Sequence, residues 1–317
     1  MRKKNYSGQV LLIMTGFVCN NNCLMCSVKP KSSTNIPRST QEIISDIEEG
    51  IKQKYKRIEF TGGEPTVRRD LLELVTKAHD VGFGEIAMST NCRTLSHMDF
   101  LKSLYKQGLN RVTTTVYGYS PETHDVITRA PGSFLQTTQG IKNLLSLGIT
   151  ISVNTVVFNQ TVNNLKETGN YLASIGVKHW TLLDLIPDGY VIDQYDKQSI
   201  NPDRLKTMFI ELEPVFAKFN MVSIMDFPYC LFPLKMMSNK KIVFFNAEGR
   251  SKMIKLVGYT PKRYHEKSNV YFDVHKIRSK KCRECAYYDG CGGSWISYFK
   301  CYNDSFIKPF PKKIKSE

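Results

Sequence analysis

The chain has 317 residues, of which 41% are hydrophobic and 23% charged, with nine cysteines and a formal net charge of +15. This allows one large α/β domain with a real core plus a small appendage, so the cysteines are not needed as staples. No stretch approaches the roughly 20 apolar residues that span a bilayer, and an odd, clustered cysteine set argues against a disulfide framework, so a cytoplasmic protein without membrane partners is expected.

The opening MRKKNYSGQVLLIMTGF has a basic start, but its apolar run Val10–Met14 is too short for a secretory signal and no small-residue cleavage site follows. Alternation over Gln9–Met14 predicts a buried first strand instead. Further strands are expected at Arg57–Thr61, Glu85–Thr90, Arg111–Tyr117, Thr150–Phe158 and His179–Ile186, all rich in Val, Ile, Thr and Phe. Between them run amphipathic stretches with apolar residues at helical spacing, such as Ile43, Ile44, Ile47 and Ile51. Gly82, Gly108, Gly148 and Gly176 stand where helix C-caps belong. Six strand–helix repeats imply parallel strands, too few for a closed eight-stranded barrel. The expected fold is therefore α/β, a partial (β/α)6 barrel whose site lies at the C-terminal strand ends.

After Pro187 the rhythm changes to Pro-punctuated segments, short strands such as Lys241–Asn246 and a group of cysteines. The expected organisation is a core over 1–190, a small cysteine-rich extension over 191–306 and a basic tail over 307–317. The positive charge gathers in Arg2–Lys4, Lys240, Lys241, Lys262, Arg263, Lys276–Lys281 and Lys308–Lys315. It serves either solubility or an anionic partner; no helix-turn-helix, zinc-finger or RNP pattern supports nucleic acid.

Just after the first strand comes C-NNN-C-LM-C, with Cys19, Cys23 and Cys26. Three thiolates at these gaps can converge on one face of a loop, ligate three irons of a cubane and leave the fourth open. The alternatives are a zinc site, which lacks a nearby fourth ligand, and unrelated buried cysteines. The second strand ends FTGGEPT, with Gly62, Gly63, Glu64 and Pro65.

The CxxxCxxC loop and the GGEP strand end together resemble the radical S-adenosylmethionine superfamily over about residues 9–190. The resemblance implies a [4Fe–4S] cluster whose open iron chelates the amino and carboxylate groups of S-adenosylmethionine. It also implies one-electron cleavage to methionine and a 5′-deoxyadenosyl radical that takes hydrogen from a substrate, and a one-electron donor such as flavodoxin or ferredoxin. On this reading Gly62 and Gly63 allow close backbone approach to the methionine ammonium, which Glu64 orients. Thr115 resembles the small hydroxyl residue placed toward the ribose or methionine, with Thr113 on the same face by alternation. Arg129, in HDVITRAPGSF, resembles an arginine that pairs with the methionine carboxylate, the alternative being a surface arginine. Asn154 is expected to face the ribose. His124 and Asp125 are read as packing and capping groups. Cys92 stands where the family's T-N-G turn has glycine and is read as small and half-buried.

Cys282, Cys285 and Cys291 form C-x2-C-x5-C, and Cys230 lies in FPYCLF. This resembles a reduced SPASM/Twitch extension. The full pattern has seven cysteines and would continue where Trp295 stands, so one auxiliary [4Fe–4S] cluster on Cys230, Cys282, Cys285 and Cys291 is expected. Cys301 either replaces one of them or stays free, and a structural zinc on the same thiolates is the alternative.

Two substrate classes compete: a ribosomal peptide undergoing thioether formation, cross-linking or epimerisation, and a small anionic metabolite such as a sugar or nucleotide derivative. The cysteine-rich end and basic surface suit the first. Against it, the chain begins directly on its first strand, read as leaving no room for a fused leader-binding domain. A non-enzymatic iron–sulfur scaffold gives GGEP no purpose.

Overall fold

The computed structural model describes residues 8–28, 37–246, 254–257 and 276–312. Its centre is a nine-stranded sheet in which every pairing is parallel, in the order β8-β7-β6-β5-β4-β3-β2-β1-β9. The first six strands are β1 Val10–Met14, β2 Arg57–Thr61, β3 Glu85–Ser89, β4 Leu109–Thr115, β5 Thr150–Val157 and β6 His179–Asp184. All six sequence-predicted strands are present, within two residues at each end. The same sheet continues into the region past residue 190 with β7 Met221–Met225 and β8 Ile242–Phe245, and β9 Ile254–Val257 pairs with the free edge of β1. Beyond it Lys276–Ile277 (β10) and Ser294–Trp295 (β11) form a small antiparallel pair.

Six helices separate the first strands: α1 Thr40–Lys52, α2 Leu71–Asp80, α3 Met98–Lys106, α4 Pro121–Thr128, α5 Ser133–Ser146 and α6 Leu165–Ser174. Ser39 and Glu42 form a reciprocal capping box that starts α1. Gly82, Gly108, Gly148 and Gly176 all take positive φ just past their helices, as the spacing predicts. A seventh long helix, α7 Pro202–Phe216, was not foreseen; it starts with Asn201 accepting from the N–H of Asp203.

Strand alternation divides the sheet's faces by chemistry. Ile58, Phe60, Val112, Ile151, Val153 and Val157 are buried in the hydrophobic core with α-helical residues such as Ile43, Ile47, Leu74 and Leu144. Thr61, Thr113, Thr115, Asn154 and Val156 line a cavity instead. The register Thr115↔Asn154 brings two of these side by side where β4 ends against β5.

The C-terminal residues are packed as well. Ile307 is buried, Phe310 stacks edge-on to Tyr287 at 5.2 Å, and Ala286 donates to the Phe310 carbonyl at 2.8 Å. Residues 307–312 of the expected basic tail therefore hold the cysteine-rich segment; residues 313–317 lie outside the described residues. Among the described residues no helix is long and apolar enough to cross a membrane.

Gly169 shows how tightly α6 seats on the sheet. A β-carbon there would lie 2.6 Å from Val215 Cγ1 and 2.7 Å from the Trp180 ring. Alanine would gain about 1 kcal/mol of helix propensity, but overpacking costs about 1–3 kcal/mol. Gly169→Ala is expected to destabilise the protein in urea unfolding; a stabilised variant would show that this contact is loose.

Candidate functional site

The loop after β1 is held in place by backbone that admits no side chains. The Gly63 N–H donates to the Gly16 carbonyl and the Glu64 N–H to the Val18 carbonyl, both at 2.8 Å. A β-carbon on Gly63 would sit 2.2 Å from Val18 O and 2.6 Å from Phe17 O, and one on Gly62 2.4 Å from Gly16 O. The two glycines thus let the end of β2 pair directly with the start of the cysteine loop, a closer approach than any L side chain permits. The far side of the loop is fixed by Asn22 N–H to Thr128 O at 2.8 Å and Leu24 N–H to Ile127 O at 2.9 Å.

Cys19, Cys23 and Cys26 face one cavity of about 350 Å³. Burial first, then the nearness of Cys26 and Cys19, push the Cys23 thiol up to about 12, while the Tyr117 hydroxyl beside it pulls the other way. The three sulfurs are thus close enough to influence one another, yet among the described residues no three His, Cys, Asp or Glu groups close on a single ion. An all-thiol set of three, spread along the wall of a cavity, fits a cubane with one iron open to that cavity. Thiolate ligation would release the protons that burial now retains.

Glu64 is buried with four hydrogen bonds. Its Oε1 accepts from Thr66 N–H (3.0 Å), Thr66 Oγ1 (2.6 Å) and Thr90 Oγ1 (2.6 Å), and its Oε2 from Asn91 N–H (2.6 Å). Burial raises its pKa against these hydrogen bonds. The carboxylate therefore ties the end of β2 to the end of β3, besides lining the cavity. Asn91 in turn reaches the loop, its Nδ2 donating to Asn20 Oδ1 at 2.6 Å and lying 3.9 Å from Cys19 Sγ.

Both Thr113 and Thr115 line the cavity, as do Asn154, Gly62 and Gly63. Arg129 does not join them. It is exposed at the C-cap of α4 with φ +51, and it is absent from the cavity wall because the chain there presents the Ile127 and Thr128 carbonyls to the loop. His124 and Asp125 are structural: His124 Nδ1 accepts from Tyr117 N–H at 3.2 Å, and Asp125 accepts from Gly132 N–H, Ser133 Oγ and Phe134 N–H, each at 2.7 Å. Cys92 is fully buried rather than half-buried and carries φ +62, the left-handed geometry that glycine usually supplies.

Sequence reasoning missed three features. Arg93 clamps the loop, donating to Asn20 O and, at 2.8 Å, to Asn21 Oδ1. Tyr117 stands against Cys23. The wall also carries two carboxylates, Asp184 at the end of β6 and Asp226 just after β7. Alternation along β6 puts Asp184 in phase with the core residues Trp180 and Leu182 and so gave no signal for it, and nothing local marked Asp226.

Cys230, Cys282, Cys285 and Cys291 line a second, apolar cavity together with Pro228, Tyr229 and Pro309. Tyr229 N–H lies 3.4 Å from Cys291 Sγ. Burial pushes the Cys230 thiol up to about 12, reinforced by Cys291 and Cys282. Cys301 faces Ser199 and is not on this wall.

A family model described as the Radical SAM superfamily matches residues 13–172. A probable GTP 3′,8-cyclase of Sulfurisphaera tokodaii is 30% identical over 173 residues, 54% of each chain. One of Saccharolobus islandicus is 28% identical over 180 residues, 56% of this chain and 58% of its own. The chain spans about half the length of the curated relatives it matches. Among solved structures, Streptococcus suis SuiB bound to its precursor peptide SuiA is similar at a TM-score of 0.62 and 12% identity, over 95% of this chain and 76% of that one. Native anSMEcpe with bound AdoMet and Cp18Cys peptide is similar at 0.63 and 17%, over 95% and 92%. At these identities the likeness shows the fold.

Two outcomes test this geometry. Gly63→Ala should leave helix content intact by circular dichroism but strip iron from the Cys19 loop, because the new β-carbon forces that loop off β2; normal iron loading would contradict it. Asp184 has its pKa raised from 3.8 to about 7, by burial against the opposing pull of Lys276. Stability present below the ordinary carboxylate range is therefore lost as pH rises toward 7, at about 1.4 kcal/mol per pH unit. Asp184→Asn should flatten the fall in melting temperature between pH 5 and pH 8; parallel curves would show that Asp184 does not titrate in this range.

Proposed function

The chain belongs to the radical SAM superfamily, and from that premise we propose that it abstracts hydrogen from a peptide substrate bound at the C-terminal ends of its strands. When bound, a [4Fe–4S] cluster and S-adenosylmethionine together supply one-electron cleavage of the sulfonium bond and a carbon-centred radical. The protein's own part is positional. Cys19, Cys23 and Cys26 hold the cluster. Thr113, Thr115 and Asn154 offer hydroxyl and amide groups to the cofactor, and Gly62, Gly63 and Glu64 fix the loop and the adjoining wall. Val156, Leu183 and Ile186 give the cavity an apolar side that excludes water. Arg129 reaches the methionine carboxylate on this reading only if its exposed side chain turns inward.

The observation that carries the peptide reading is the charge of the wall. Among the described residues lining the cavity there are carboxylates and neutral groups but no Lys, Arg or His. A nucleoside triphosphate brings several negative charges, and buried anions need partners. Peptide groups are neutral. The peptides bound to SuiB and anSMEcpe, proteins of similar fold, are consistent with such a substrate. The second reading, chemistry on a nucleotide, is favoured by the sequence relatives, which are probable GTP 3′,8-cyclases.

On the same footing, residues 191–306 form an extension that holds one auxiliary [4Fe–4S] cluster on Cys230, Cys282, Cys285 and Cys291. Four thiols on one apolar cavity support it. With all four thiolates engaged no iron is left open, which suits an electron acceptor better than a substrate-binding site. A flavodoxin or ferredoxin would supply the first electron.

Anaerobic reconstitution should give about eight irons per chain, falling to four in a Cys19/Cys23/Cys26 triple-Ala variant, with a cubane signature in Mössbauer spectra. One zinc and no iron in that variant would make the second site structural. Incubated with S-adenosylmethionine, reductant and either GTP or a library of small peptides, the enzyme should change a peptide's mass and leave GTP intact. Conversion of GTP to a cyclised product would establish the second reading instead.

A further inference from the structure

Two carboxylates on the cavity wall, Asp184 and Asp226, stand beside one buried cation that is not itself on the wall. Lys276 arrives on β10, from the C-terminal segment, and its ammonium side chain is only 4% exposed. It donates to the Asp226 backbone carbonyl, lies 3.4 Å from Asp226 Oδ1 and sits 4.4 Å over the Trp295 ring. Asp226 holds a left-handed backbone, φ +72, to meet it. The pairing Lys276↔Trp295 places both side chains from one two-stranded unit against this point.

That amine is committed to Asp226. Asp184, 8% exposed and on the cavity wall, has no ion pair among the described residues. The Trp295 indole leans toward it, yet its buried Nε1 completes no hydrogen bond. Tyr195 and Tyr298 are the other titratable groups nearby, and burial raises both so that they stay neutral. Asp184 is thus a buried carboxylate on the cavity wall, held by the Leu185 N–H and drawn by Lys276, and a carboxylate's two oxygens can accept further hydrogen bonds from a group in the cavity.

We propose that Asp184 is the substrate-anchoring residue, whose carboxylate accepts a hydrogen bond from an ammonium, guanidinium or N–H group of the substrate, with Lys276, Asp226 and Trp295 as positioning residues. This deepens the peptide reading and rests on it. The C-terminal unit thereby supports the substrate anchor of a cavity whose cofactor site is built by β1 to β4. The required substrate class is one that carries a cationic or N–H donor near the hydrogen to be removed.

The test uses ligand-observed NMR titration of the reconstituted holoenzyme saturated with S-adenosylmethionine, with n-butylammonium and n-butyl phosphate as probes. The amine should bind saturably, more tightly at pH 8 than at pH 6 as Asp184 ionises. Asp184→Asn should weaken it roughly tenfold or more, the loss expected for one charge-assisted contact. Asp184→Glu should restore part of the affinity, and the phosphate should not bind saturably. Equal amine affinity in wild type and Asp184→Asn, a flat pH dependence in wild type, or tighter binding of the phosphate would each overturn the proposal. Formation of 5′-deoxyadenosine by the wild-type samples is read separately. Its absence would sink the proposed function while leaving the anchoring result to stand or fall on the titration.

Discussion

Backbone pressed against backbone is the constraint on which the rest of the site depends. The Gly62–Gly63 step lies so close to Gly16, Phe17 and Val18 that a single β-carbon would overlap a carbonyl oxygen. Two hydrogen bonds then extend the β1–β2 pairing past the strands and into the cysteine loop. From that fixed start the other supports follow: Glu64 spans from β2 to β3, Asn91 and Arg93 carry the link from β3 back to Asn20 and Asn21, and α4 offers two carbonyls to the loop's far side. A short loop without regular structure thus acquires the rigidity a metal centre requires, because its support comes from strand ends.

The wall of the cavity that results carries three thiols and a row of hydroxyl and amide groups, together with Asp184 and with Asp226, which Lys276 meets from behind the wall. The parallel sheet explains why these groups share one space, since all strands point their C-terminal ends the same way. It also explains why a C-terminal segment can complete the pocket. β7 and β8 extend the sheet past β6, and β10 and β11 then bring Lys276 and Trp295 against Asp226 and Asp184.

Most of the cofactor site was legible in the sequence, because its chemistry is local. Three cysteines within eight residues and a glycine pair at a strand end are short-range patterns, and Thr115 and Asn154 follow from alternation with a period of two. The purpose of the glycines was less legible: their closest neighbours are the loop's own carbonyls, a contact between segments some 45 residues apart. Arg129 shows the opposite limit. Its residue type suited a carboxylate partner, but its place at a helix C-cap leaves it exposed. The group of Asp184, Asp226, Lys276 and Trp295 was largely illegible, since its members come from four separate elements that only the fold assembles. Likewise β7 and β9, five and four residues long, carried too little periodicity to be assigned to a common sheet.

The account turns on three cysteines leaving one coordination position open toward the cavity. Electron–nuclear double resonance of the reduced, reconstituted protein tests this most directly, using S-adenosylmethionine labelled with ¹⁵N at its amino group and ¹⁷O at its carboxylate. Hyperfine coupling to both labels, absent from the Cys19/Cys23/Cys26 triple-Ala variant, is the predicted result. A cluster signal with no coupling to either label would contradict it, because the fourth position would then be closed to the cofactor.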